Sequence, residues 1–411
     1  MPGECKTGDG ERMMAMMMRA NHAVTVVLGM AAFLLPSAAG SDLSGRPPVH
    51  ALERVEPQVF EVTMQVNITP GPPFRDRRIQ PRDYDPDLQP DASRPMRMPI
   101  IMMNTWNQVD RDSIRLQFWV DEWEDQKVRE RAELRSDLPF GGYELRWNLP
   151  EDRMKEAQRA RWKITYDTIV WASKLDERKA ARAAWPRSWP AEVRDALQPQ
   201  RFIESDNEIF RETVERVSEG KLQNVPIYFA VKDLLRYTIQ QVQVTGGSER
   251  RIAEHNIQGL NVQGALKTAE KQQGSEHDLV CLCVAMLRAA GIPARPVIGI
   301  EYERRPDTRF PVRSWGEFYL PESGWVPFHP IQMRDSGFHR NVQEQWPGIG
   351  TIDEHNRFVP IAFHFNSPHV EGSHLYPTIW SWIDDPKGRI AWFQSFQLSV
   401  GWKGEPEPED H

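Results

Sequence analysis

Cys281 and Cys283 stand inside a run that reads as a core element, and a thiolate is a strong side-chain nucleophile. Their setting opposes that use. Both fall within residues 279–287, LVCLCVAML, which would be apolar on every side of a helix, and burial there raises a thiol pKa and blocks access. Two positions apart on a helix, they point to different sides and cannot bond to each other. Core packing is the expected role. Cys5 precedes the export signal described below, so the chain is no disulfide scaffold. His364, His369 and His374 recur every five residues in FHFNSPHVEGSH, a spacing that suits neither one strand face nor one helix face, and Pro368 interrupts it. They are read as loop histidines, and no metal or cofactor is assigned. The 15 tryptophans, Trp315, Trp325, Trp380, Trp382 and Trp392 among them, are read as core area, with an exposed sugar or peptide platform as the alternative.

A helix must carry the thiols. Ser275 is a good N-cap and Asp278 stands where a capping acid would, so the helix is expected to begin near Ser275 and to end at Ala290-Gly291-Ile292-Pro293. Upstream, Ser205 and Glu208 have capping-box spacing ahead of Ile209, Phe210, Val214 and Val217. A second amphipathic pattern runs through Ile227, Val231, Leu234, Leu235 and Thr238. Strands are expected after the thiol helix in PVIGIEYE, SWGEFYL and GWVPFHP.

Nearer the N-terminus the period changes to two. Phe60, Val62, Met64, Val66 and Ile68 alternate with polar residues, as do Leu116, Phe118 and Val120, and Trp162, Ile164 and Tyr166. With GGYELRW these predict an antiparallel β-sandwich. Residues 69–97, rich in Pro, Arg and Asp, are read as an exposed loop. Trp185-Pro186 and Trp189-Pro190 mark residues 174–202 as a crossing between domains rather than one helix. RFVPIAFHF and RIAWFQSFQLSV make the last stretch mainly β. The expected class is α+β. A sandwich-like domain over residues 41–200 precedes a helical core packed on an antiparallel sheet over 201–335, and a β-rich extension with an acidic tail covers 336–411.

The 411 residues, 40% of them hydrophobic, are enough for two or three domains that bury their own cores. The net charge of −7, from 51 basic and 58 acidic side chains, collects into no long block of either sign, which argues against a nucleic-acid partner. Arg12 and Arg19 precede the apolar residues 23–35, and Ser37, Ala38, Ala39 and Gly40 follow. Residues 1–40 are therefore read as a cleaved secretory signal, with an uncleaved anchor as the alternative, and the protein as secreted or periplasmic. No later stretch reaches the roughly 18 uninterrupted apolar residues of a membrane span.

Residues 274–295, GSEHDLVCLCVAMLRAAGIPAR, resemble the central helix of bacterial transglutaminase-like proteins, in which a G-x-C segment opens the helix and LRAAGIPAR closes it. Residues 313–330, RSWGEFYLPESGWVPFHP, resemble the family's H-A-W-x-E-x-Y-L and G-W-x-P-x-D-P strands. The likeness covers roughly residues 205–330. It implies a papain-like thiol-enzyme core with a Cys-His-Asp triad. Carried over residue by residue, the Cys position falls at Glu276, the His position at Arg313 and the Asp position at His329. None of the three matches. A carboxylate is a poorer nucleophile than a thiolate, and a guanidinium stays protonated and cannot act as a base, so the usual acyl transfer is expected to be absent. The replacements are coherent electrostatically: Glu276 and Arg313 should form an ion pair with the anion at the positive end of the helix.

Two functional readings follow. One is a catalytically degenerate module that binds protein, peptide or envelope polymer through the old cleft. The other is an amide hydrolase or acyl transferase of altered chemistry, using Glu276 and His329 or a displaced Cys281 or Cys283. Glu276, His277 and His329 also have the donor chemistry for a metal or acid–base site, although no close-spaced ligand motif accompanies them. The plainer expectation is that Glu276 pairs with Arg313 while His277 faces solvent from the first turn.

Overall fold

The computed structural model describes residues 50–71, 95–154, 156–253, 256–303, 312–337, 341–352, 354–366, 376–382 and 392–406. Residues 1–40, read above as an export signal, most of the Pro-rich stretch, His369, His374 and the acidic end lie outside them.

Period-two patterning builds the N-terminal half. In β1 (Leu52–Pro70), Phe60, Val62, Met64, Val66 and Ile68 are buried and the residues between them face outward. Next come β2 (Pro95–Ile100), β3 (Arg115–Val120), β4 (Ala132–Leu138), β5 (Gly142–Asn148) and β6 (Ala160–Leu175). The expected loop over 69–97 is strand at both described ends: Thr69 and Pro70 close β1, and Arg97 of β2 exchanges backbone hydrogen bonds with Ser381. Strands β2, β5 and β4 make a small antiparallel sheet facing the larger sheet that holds β1, β6 and β3, and Trp147 meets Trp162 edge-on at 5.9 Å between them. This is the antiparallel layering that the alternation predicts.

Period 3.6 then takes over. Helix α1 (Glu208–Ser218) is capped by Asn207, whose side chain accepts from the Ile209 N–H at 3.1 Å, so the capping box expected from Ser205 does not form. Asn207, directly before the first turn, is the residue in reach of that N–H. Helix α2 (Ile227–Gln241), strands β7 (Glu249–Ala253) and β8 (Asn256–Leu260), and helix α3 (Ala265–Lys271) lead into α4 (Glu276–Ala289). Every residue of α4 from His277 to Arg288 is buried, because α1, α2 and α3 pack around it and a sheet closes its remaining side. That sheet runs β11-β10-β9-β12, from β9 (Ala294–Glu301), β10 (Val312–Leu320), β11 (Gly324–Phe328) and β12 (Phe358–Ala362), and is antiparallel throughout. The short α5 (Pro330–Asp335) follows β11.

The last strand, β13 (Trp392–Gly404), returns to the N-terminal half. It pairs antiparallel with β1 from Val59↔Gly404 to Pro70↔Trp392 and touches β8 on its other side, giving the order β7-β8-β13-β1-β6-β3 in the large sheet. Among the described residues no helix is long and apolar enough to cross a membrane.

Candidate functional site

The start of α4 is fixed by its cap. Ser275 Oγ accepts from the Asp278 N–H at 3.2 Å and Asp278 Oδ2 accepts from the Ser275 N–H at 2.8 Å, the reciprocal pair expected from the sequence. Asp278 Oδ1 also accepts the backbone N–H groups of Gln263 at 2.7 Å and Gly264 at 3.0 Å, tying the start of α3 to the same carboxylate. Gly274 must stay small, since a Cβ there would come within 2.6 Å of Asp278.

Glu276 is the first residue of the helix and Arg313 projects from β10 beside it. Arg313 Nη1 lies 3.2 and 3.3 Å from the two Glu276 carboxylate oxygens. The expected ion pair is present. Arg313 Nε also donates to Glu301 Oε2 at 2.8 Å. Burial opposes charge on Arg313, but Glu301 and Glu276 together outweigh it and hold the guanidinium above its usual pKa. No sequence motif singles out Glu301. It stands two residues beyond Gly299, the register partner of Arg313 in β9, and diagonal cross-strand neighbours of this kind are within reach of a long side chain.

The imidazoles behind this pair differ from expectation. His277 does not face solvent: it is fully buried, with Nδ1 2.8 Å from Ser314 Oγ and its ring 5.2 Å from Phe365. The first turn is covered by β10 on one side and by Phe365 on the other, which first-turn position alone does not reveal. Burial, aided by the Arg313 charge, lowers the His277 pKa to about 3. His329, at the start of α5, is 5% exposed; burial and then Arg313 lower its pKa to about 4, and it hydrogen-bonds neither Glu276 nor Arg313 through its ring. A third histidine, His355, lies edge-on to Trp106 at 5.7 Å and Trp315 at 5.8 Å, with burial and then His329 lowering its pKa to about 3. All three are neutral near pH 7. Cys281 and Cys283 are buried and free, and desolvation pushes both thiols up, as core packing implies.

The other motif residues serve the scaffold. Arg295 donates to Glu317 Oε2 at 2.7 Å, and its guanidinium is sandwiched between Trp325 at 4.0 Å and Phe363 at 4.2 Å. The end of the Phe328 ring fills the space beside Gly316, where a Cβ would come within 2.0 Å of Cζ, and this close approach sets β11 and therefore the backbone of His329. Of the loop histidines, His364 is buried, with Nε2 3.2 Å from the Ile379 carbonyl. No group of three or more His, Cys, Asp or Glu side chains suited to a metal ion occurs among the described residues. Of the tryptophans read as core, Trp315, Trp380, Trp382 and Trp392 are buried and Trp325 is half-buried; Trp106, Trp147, Trp162 and Trp346 are buried as well, whereas Trp402 is 49% exposed.

Residues 212–330, which include α4, Arg313 and His329, match the family model of the transglutaminase-like superfamily. The chain carries a transglutaminase-like domain. The structure is similar to a candidate cysteine protease from Cytophaga hutchinsonii, at 13% identity over 87% of this chain and 94% of that one, with a TM-score of 0.48. It is also similar to the periplasmic domain of TgpA from Pseudomonas aeruginosa, at 17% identity over 66% and 87% of the two chains, with a TM-score of 0.28. No curated protein matches the sequence. Within the transglutaminase-like domain, the residues at the helix start are a carboxylate–guanidinium–carboxylate chain and a buried Ser–His contact.

Proposed function

We propose that the protein is an exported transglutaminase-like protein that has given up thiol chemistry, and that the surface around Glu276 and Arg313 binds protein, peptide or cell-envelope polymer. The Glu276–Arg313–Glu301 network carries the reading. A thiol enzyme needs a thiolate at the positive end of the central helix with an imidazole beside it. Here that place holds a carboxylate locked by a guanidinium, while both thiols are buried along the same helix. Arg313 cannot take a proton, and His329 makes no bond to Glu276 through which it could act as its partner base. The network leaves Glu276, Arg313 and Glu301 each partly exposed, so a ligand with paired charges can reach them.

The test is mass spectrometry of glutamine-containing peptides incubated with the mature protein, with and without a primary amine. Neither deamidation nor amine incorporation is expected. Turnover that disappears in Glu276→Gln would instead establish the altered-chemistry amide hydrolase or acyl transferase.

A further inference from the structure

The outer face of the large sheet has a composition that its fold does not require. Three rows cross β3, β6, β1 and β13 in register. Trp119, Arg161 and Asn67 form one; Gln117, Lys163, Gln65 and Gln397 the next; Arg115, Thr165, Thr63 and Ser399 the third. At about 4.8 Å between strands the face is roughly 15 Å across. Its middle is an amide chain. Gln65 Nε2 donates to Asn67 Oδ1 at 3.0 Å and to Gln397 Oε1 at 2.8 Å, and Gln397 Nε2 donates to Asn256 Oδ1 at 2.7 Å. These bonds hold the amides in place and leave Gln65 Oε1 and the Asn67 and Asn256 amino groups unengaged among the described residues.

Three cations flank the chain. Arg115, Arg161 and Lys163 have no carboxylate partner among the described residues, and the Arg161 Nε is buried without a hydrogen-bond acceptor. Carboxylates stand only at the margins. Glu124 lies beyond Trp119 at the sheet edge, and Asp167, in the following row with Glu61, pairs with Lys403 at 2.7 Å.

We propose that this face binds an anionic glycan, one whose sugar units carry carboxylates. Unpaired cations supply charge complementarity, and preordered amides with neighbouring hydroxyls offer donors and acceptors to sugar hydroxyls at small entropic cost. Other polyanions fit less well. Stacking of nucleic-acid bases needs a run of free aromatic faces, whereas Trp119 stands alone in these rows and has Arg161 over its ring at 4.2 Å. An anionic lipid surface would call for protruding apolar groups, and the central rows have none among the described residues.

Affinity electrophoresis of the full chain in gels containing polygalacturonate tests the proposal, with dextran, an oligothymidylate and phosphatidylglycerol vesicles as comparison probes. Polygalacturonate alone should retard the protein. Arg115→Glu with Lys163→Glu should weaken that binding by about tenfold or more, the loss of about 1.4 kcal/mol. The same charge change placed on helices, Arg211→Glu with Lys267→Glu, should leave it intact. Gln65→Leu with Gln397→Leu keeps every charge and should still weaken binding several-fold, with circular dichroism melting confirming that the variant folds. The proposal is overturned if polygalacturonate fails to retard the protein, if dextran, oligothymidylate or vesicles bind equally well, or if the amide variant binds as the wild type does.

Discussion

Arg313 holds two carboxylates through different edges of one guanidinium, and the energetic weight of that arrangement follows from exposure. Its partners and Arg313 itself are each roughly a quarter exposed, so solvent screens the pairs. Glu276→Ala should lower the unfolding free energy by only ~0.5 kcal/mol in urea denaturation, a contribution typical of accessible pairs. The buried histidines weigh more. His277, His329 and His355 have folded-state pKa values lowered to about 3, 4 and 3, against about 6.5 when unfolded. The unfolded chain therefore takes up their protons first as the pH falls. The stability they contribute is fully present above pH ~6.5 and declines below it, by up to about 1.4 kcal/mol per pH unit for each histidine. Urea midpoints measured from pH 7.5 to 5 should show this slope, and His355→Gln should make it shallower. Native Cys281 and Cys283 should resist iodoacetamide until denaturant is added, as read by mass. The Glu276–Arg313 contact was legible because the motif spacing placed both residues at one helix start. The burial of His277 was not, because Ser314 and Phe365 reach it from distant parts of the chain.

Among the elements, β10 does most to shape the transglutaminase-like domain. Glu317 and Arg295 join it to β9 inside the core, with side chains 0% and 5% exposed. Removing one partner strands the other charge, so Glu317→Ala should cost about 3–5 kcal/mol. Gly316→Ala should also destabilise, because the Phe328 ring has no room to yield; differential scanning calorimetry would register both. A wild-type melting temperature for Gly316→Ala would contradict the close approach. The W-x-E and G-I-P-A-R phrases supply this pair, Glu317 and Arg295, and so position strands whatever chemistry the site performs. Element types were readable where the patterns are nearly uninterrupted, as in β1, β6 and α4, but β7, β8 and α3 lie in a stretch whose polar composition reads as a connection. Element ends were less so. Asn207 rather than Ser205 caps α1, a choice between neighbouring polar residues that spacing alone leaves open.

At the scale of the whole molecule, the sequence order of strands is a poor guide to their spatial order. Strand β13, some 330 residues after β1, sits beside it with every partner from Pro70 to Val59 engaged, and its Phe396 lies opposite Ile257 of β8. Alternation identifies such a strand but carries no address for its neighbour, so the β character of the C-terminal stretch is legible while its place between β1 and β8 is not. Truncation before Trp392 should leave β1 and β8 with open edges and yield an aggregated or protease-sensitive product, detected by limited proteolysis. The same pairing sets an order of events during synthesis. Strand β1 must wait for β13, so the large sheet cannot close until a segment some 330 residues further along the chain has been made. Until β13 arrives, β1 and β8 keep unpaired edges, and its docking between them acts as the latch of the sheet.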